Sequence, residues 1–157
     1  MKENIKIRKA ELNDVTIILN LIKELAQYEK LLDEVIATED KLMDTIFGKD
    51  KFVEVWLAEI NNEPAGQVFF FRNYSTFLAK PGYYIEDLYV RPQFRGRGVG
   101  KKLLKKVIEI AAEKNYGRVE WSVLNWNEPA IEFYKNIGAV SMDEWMSFRL
   151  TEEKITG

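Results

Sequence analysis

The 157-residue sequence contains neither cysteine nor histidine. Those two absences remove disulfide scaffolds, thiolate nucleophiles, zinc fingers, haem ligation, Ser-His-Asp triads and every imidazole acid or base. Acid and base work in this chain therefore falls to carboxylates, phenols, amines and backbone groups. An excess of positive charge is missing too. Lys plus Arg number 23 against 25 Asp plus Glu, a formal charge of −2, which argues against a general nucleic-acid binder. No apolar run approaches the roughly 20 residues of a membrane span, and the stretch from Met1 to Arg8 is polar and shows no targeting segment, so a cytoplasmic protein is expected. What is present is 46% apolar, 13% aromatic and 31% charged. That is the make-up of one compact domain, and residues 1–157 are read as a single domain.

Alternation at Ile5 and Ile7 predicts a short strand. Asn13 or Asp14 then stands as N-cap of a helix reaching about Glu29, with Val15, Ile18, Leu19, Ile22, Leu25 and Ala26 on its inner face. Thr38 caps a second, short helix that turns Leu42, Met43 and Ile46 inward and stops at Gly48. Residues 52–60 and 65–74 read as an antiparallel hairpin about Asn61-Asn62-Glu63-Pro64, and residues 83–90 as a third strand. A loop of Arg, Pro and Gly fills residues 91–100. The next helix faces Leu103, Leu104, Val107, Ile108 and Ala111 to the core and is closed by Gly117. Residues 118–124 are expected as a strand, Asn127 as the cap of a short helix with Pro129 in its first turn and Gly138 beyond its end, and residues 145–150 as a last strand. This order implies a mixed sheet with helices on its faces.

Gly96, Gly98 and Gly100 lie between a strand and an amphipathic helix. Without Cβ atoms, their backbone N–H groups can approach an anion at the helix N-terminus. A Walker loop is excluded, because Arg95 occupies its first glycine position and Lys102 follows Lys101; the Rossmann fingerprint fails at Lys101. Arg91, Arg95, Arg97, Lys101, Lys102, Lys105 and Lys106 crowd this stretch with no acid between them, a field suited to a multiply phosphorylated small molecule. A tight turn followed by a solvated helix face accounts for the same residues. Glu86 and Asp87 are successive residues of a central strand, so pleating places them on opposite faces, each needing a reason to sit there. That reason is either a functional site or a structural role, as a helix cap or in an ion pair with Arg118 or Arg149. The acids Glu29, Asp33, Glu34, Glu39, Asp40 and Asp44 make another region negative, which suits a cationic substrate or a solvated helix face.

Arg95-Gly96-Arg97-Gly98-Val99-Gly100 resembles the pyrophosphate loop, Arg/Gln-x-x-Gly-x-Gly/Ala, of the GNAT superfamily of acyl-CoA-dependent N-acetyltransferases. Three further blocks resemble its diamine (spermidine/spermine) and thialysine acetyltransferase branch: Ile22 to Glu29 (IKELAQYE), Tyr84 to Val90 (YIEDLYV) and Trp126 to Lys135 (WNEPAIEFYK). The resemblance covers nearly the whole chain. It implies a GNAT-like, mostly antiparallel sheet flanked by helices, with acetyl-CoA as co-substrate and no metal. It further implies that Leu88, Tyr89 and Val90 bond the pantetheine arm, that Arg95, Gly96, Arg97, Gly98, Val99, Gly100 and Lys101 hold the pyrophosphate, and that Asn127, Glu128, Pro129, Ala130 and Tyr134 line the other side of the cofactor.

Tyr134 is the expected general acid, because a phenol of pKa about 10 stays protonated at neutral pH and can donate to a departing thiolate. A core aromatic is the competing reading. The family pattern places the substrate-binding carboxylate and base at Glu86, amine contacts at Tyr28 and Glu29, and Glu120, Trp121 and Ser122 facing the cleft; Asp87 stands as a substrate-binding candidate by its place beside Glu86, with the structural role as the competing reading. Lacking a cysteine carrier, the chain is expected to transfer the acyl group directly to the primary amine of a small molecule. Ser75 stands where polyamine-acetylating members carry an acid, and the segment Tyr74-Ser75-Thr76 looks more like the thialysine branch, so a lysine-like amino acid competes with a diamine. Relatives are commonly homodimers, which makes Trp145, Met146 and Phe148 interface candidates as well as core candidates. A different class of function, a non-catalytic module that senses acyl-CoA or binds nucleic acid through the basic loop, is the alternative.

Overall fold

The computed structural model describes residues 4–157. The strands are β1 (Ile5–Lys9), β2 (Glu54–Ile60), β3 (Glu63–Ser75), β4 (Lys80–Val90) and β5 (Val119–Trp121); the α-helices are α1 (Val15–Tyr28), α2 (Glu39–Phe47), α3 (Val99–Glu113), α4 (Glu128–Asn136) and α5 (Glu152–Thr156). The chain divides into two compact units, one ending at Ser122 and the other Val123–Gly157. The first holds a five-stranded sheet in the order β1-β2-β3-β4-β5. Neighbours run antiparallel except β4 and β5, which are parallel. The expected mixed, mostly antiparallel sheet with flanking helices is what forms.

Asn61 and Asn62 both have positive φ, 52° and 66°, which matches a two-residue hairpin turn whose twist suits the flanking strands. The turn is therefore tighter than its composition implied, and Glu63 and Pro64 already belong to β3. All six residues from Ala65 to Phe70 are buried, because β3 is central and covered on both faces. On one face α1 and α2 pack against Val55, Leu57, Phe69 and Tyr89. On the other, α3 lies over Gly66, with the Leu103 side chain 3.4 Å from where a Cβ would be, and over Trp56, whose ring Lys106 covers at 5.1 Å.

The helix faces differ from the periodicity in two places. Leu21 of α1 is fully buried, so that stripe is wider than expected, whereas Ile108 of α3 is 45% exposed and lies outside the core. The Thr38 side chain accepts from the Lys41 N–H as an N-cap should. Asp14 does not cap α1 with its side chain; its carboxylate accepts from Arg8 at 2.7 and 2.8 Å and from the Glu11 N–H. Helix α3 ends at Glu113, and Asn115, at φ 57°, takes the left-handed position that had been assigned to Gly117. The Gly117 N–H instead donates to Pro81 O at 2.9 Å and leads the chain into β5.

Strand β5 is shorter than the sequence implied, because it pairs β4 only from Tyr83 to Ile85. In the second unit, Pro129 sits in the first turn of α4 and Gly138, at φ 93°, lies just past its end, as read from sequence. Residues 145–150 form no strand. Apolar alternation supplies one face of a strand, but a strand exists only where its N–H and C=O groups find a ladder.

Candidate active site

Along β4 the ladder slips once. Phe70 lies opposite Ile85 and Phe69 opposite Asp87, which leaves Glu86 as an extra, unpaired residue of a β-bulge. A bulge breaks the strict alternation of side chains and bends the strand. This corrects the expectation of opposite faces: Glu86 and Asp87 line one cleft of about 300 Å³. Ile22, Leu25, Ala26 and Glu29 at the end of α1, with Leu31, Glu34 and Val35 from the turn after it, form the other wall.

Glu29, Glu34, Glu86 and Asp87 are the charged residues of that lining, and among the described residues no Lys or Arg joins them there. Burial, then the nearby charges of Glu86 and Glu29, push the Asp87 carboxyl up to about 6. Burial also raises Glu29. Like charges confined in a half-dry cleft resist ionisation, and an entering cation relieves that cost. The apolar wall suits methylene groups and the acids suit ammonium groups.

Neither Glu86 nor Asp87 uses Arg118 as a structural partner. Arg118 Nε lies 3.0 Å from Glu120, which also accepts from Asn73 at 3.3 Å. Ser122 shares a 2.6 Å hydrogen bond with the Tyr84 hydroxyl. Glu120, Trp121 and Ser122 thus lie on β5 or just past it, away from the lining of the acidic cleft.

The glycine loop departs from β4 at the far end of the same strand. Gly96 and Gly98 have φ of 77° and 86°, and nothing lies within 4 Å of where a Cβ would be on either. Gly98 is the N-cap of α3 and offers no side chain to its amides. The N–H groups of Val99, Gly100 and Lys101 open the helix, where no intrahelical acceptor exists, so an anion fits the hollow.

Arg91 is bound to Glu24 at 3.0 Å and to Pro64 O at 3.2 Å. Arg95 turns away from the hollow: its Nε donates to Val90 O at 3.0 Å, and its guanidinium lies 4.9 Å from the ring centre of Tyr28 and 5.8 Å from that of Tyr89. Since β5 stops pairing at Ile85, the backbone of Leu88, Tyr89 and Val90 has no β5 partner on that edge. An extended arm can add there like a strand. In the second unit, Asn127 is the N-cap of α4, Glu128, Pro129 and Ala130 form its first turn, and the Tyr134 ring lies 5.6 Å from that of Phe133.

Two parts of this site escaped the sequence reading. Leu31, Glu34 and Val35 belong to a single 3-10 turn, Leu32–Glu34, and its two caps, too short for periodicity to mark a cleft wall; Glu34 was visible only as one of several acids. Glu24 was unmarked, although its spacing of four from Tyr28 places both on one helix face.

A profile of the Acetyltransferase (GNAT) family matches residues 18–139. The chain is 38% identical to the thialysine N-epsilon-acetyltransferase of Sus scrofa, an alignment covering 96% of this chain and 94% of that one. It is 35% identical to an L-ornithine N5-acetyltransferase of Arabidopsis thaliana, covering 96% and 86%. Among solved structures, an integron cassette protein from the mobile metagenome of V. cholerae shares the fold, with a TM-score of 0.81 at 24% identity over 99% of this chain and 96% of that one. Sequence, fold and relatives agree that the chain belongs to the GNAT acetyltransferase family and is an acyltransferase enzyme.

Proposed function

We propose that this protein moves the acetyl group of acetyl-CoA directly onto the terminal primary amine of a basic amino acid of the thialysine, lysine or ornithine kind. One observation carries the choice of acceptor. The cleft formed by the β4 bulge and the end of α1 combines carboxylates at Glu29, Glu34, Glu86 and Asp87 with an aliphatic wall. The names of the porcine and plant relatives support the amino-acid reading. A diamine or polyamine is the second reading, favoured because none of the described lining residues is Lys or Arg, where a substrate carboxylate would look for one.

In this reading acetyl-CoA, the co-substrate of GNAT acetyltransferases, supplies an activated thioester. The opening amides of α3, with Lys101 and Arg97 beside them, hold the diphosphate. The backbone of Leu88, Tyr89 and Val90 holds the arm, and the family pattern assigns Asn127, Glu128, Pro129 and Ala130 to cofactor binding as well. Glu86 and Glu29 hold the substrate ammonium. Asp87, with a carboxyl near pKa 6, is ionised at neutral pH yet basic enough to accept, through water, the proton the ammonium must lose before nitrogen forms its bond to carbon. Asp87 thereby takes the role the family pattern gives to Glu86. Tyr134, by the same pattern, donates a proton to sulfur as the carbon–sulfur bond breaks. Glu120, Trp121 and Ser122 rank behind the cleft acids as substrate contacts.

A single catalytic domain, cytoplasmic and homodimeric, is the form we propose; exposure of Trp145, Met146 and Phe148 supports the dimer. The test of function is thiol release from acetyl-CoA against thialysine, lysine, ornithine, putrescine, spermidine and a simple monoamine. Turnover with the dibasic amines and little with the monoamine is expected. Coenzyme A binding without release from any amine would instead mark a sensor.

A further inference from the structure

Helix α1 presents two adjoining stripes to two different places. Ile22, Leu25, Ala26 and Glu29 line the acidic cleft. Glu24 and Tyr28, four residues apart and so on one face, reach the glycine loop instead. Glu24 takes the Arg91 guanidinium through Nε at 3.2 Å and Nη2 at 3.0 Å, and accepts from the Tyr89 hydroxyl at 3.3 Å. Tyr28 lies under the Arg95 guanidinium, whose Nε holds Val90 O. Of the clamped residues, Arg95 immediately precedes Gly96, and Arg91 lies five residues before that glycine, just past the end of β4.

Those glycines give the loop its shape and also its freedom. A segment that reaches positive φ at Gly96 and Gly98 has many alternative conformations, and ordering them on binding costs affinity. Clamping the chain just before them removes part of that cost in advance.

We propose that Tyr28 and Glu24 are positioning residues for the cofactor loop: Tyr28 acts through Arg95 and Glu24 through Arg91 to hold the diphosphate-binding backbone in its receptive shape. Tyr28, at the amine end of α1, thereby serves the opposite substrate. The inference rests on the proposed acetyl-CoA reading, and its test separates the two.

The test measures coenzyme A binding by calorimetry and steady-state kinetics for the wild-type chain, Tyr28→Phe, Tyr28→Leu and Glu24→Gln, with thermal melts as a fold control. Tyr28→Leu removes the ring and is expected to raise the Kd for coenzyme A about three- to fivefold, the scale of an exposed cation–π contact. Tyr28→Phe keeps the ring and should bind within about twofold of wild type. Glu24→Gln loses a charged pair and is expected to weaken coenzyme A about tenfold while the KM for the amine stays the same. Equal losses in Tyr28→Phe and Tyr28→Leu would assign the effect to the hydroxyl and overturn the stacking role. Wild-type coenzyme A affinity in Tyr28→Leu and Glu24→Gln, with a lowered melting temperature or a raised amine KM, would overturn the whole proposal. A wild-type chain that binds no coenzyme A would instead overturn the reading beneath it.

Discussion

The acidic cleft and the basic loop leave the two ends of one short piece of β4, yet they are built by opposite means. The cleft presents side chains, placed by a bulge and by the short 3-10 turn after α1. The loop works through main-chain amides, exposed because Gly96 and Gly98 carry nothing that would cover them. In the proposed reading, one region takes a cation by collecting carboxylates in a half-buried space, where burial raises Asp87. In the same reading, the other takes an anion with dipoles that do not titrate. Side-chain chemistry at the cleft is therefore tunable by pH and by single substitutions, whereas the loop is sensitive mainly to backbone conformation.

Several substitutions test that division. The largest effect is expected at the step that uses both substrates: Tyr134→Phe should lower kcat about a hundredfold and leave the Kd for acetyl-CoA nearly unchanged, as stopped-time thiol release and calorimetry would show. Asp87→Asn should lower kcat/KM for the amine some tens of times at pH 7.5. In the wild-type chain kcat/KM should fall below pH about 6, where the Asp87 carboxyl is protonated and accepts no proton; that limb should vanish in the variant.

Gly98→Val forces a β-branched residue to φ 86°, a conformation that costs roughly 1–2 kcal/mol even for ordinary residues, so coenzyme A should bind about tenfold more weakly with the amine KM unaltered. Glu34→Gln, at an exposed edge of the cleft, should raise the amine KM about threefold and leave acetyl-CoA alone.

The smallest effect concerns stability. The Asp87 pKa is higher folded than unfolded, so the unfolded chain gives up that proton first and the folded state loses stability as pH rises from about 4 to about 6. Asp87→Asn should accordingly melt a few degrees above wild type at pH 8 and show no advantage at pH 3.5.

The loop was legible because its signal is local: glycines two apart, flanked by Arg91, Arg95 and Arg97 and followed by an amphipathic helix, demand an open backbone wherever the chain goes. Helix α1, the hairpin and β4 were legible for the same reason, since period and turn chemistry are written within a few residues. The cleft was only half legible. Glu86, Asp87 and Glu29 stood out by residue type, but the slip opposite Phe69 and Phe70 is a matter of register between strands, and alternation alone set Glu86 and Asp87 apart. Leu21 and Ile108 went wrong because the width of a buried stripe is set by what covers it. The strand expected at residues 145–150 had the right side chains and no ladder.

The division of labour is tested most directly by varying acetyl-CoA and amine independently for Gly98→Val and Asp87→Asn against wild type. The loop variant should raise the KM for acetyl-CoA and leave that for the amine, whereas the cleft variant should lower turnover and kcat/KM for the amine with the Kd for acetyl-CoA unchanged. A cleft variant that weakens acetyl-CoA while handling the amine normally would contradict the account.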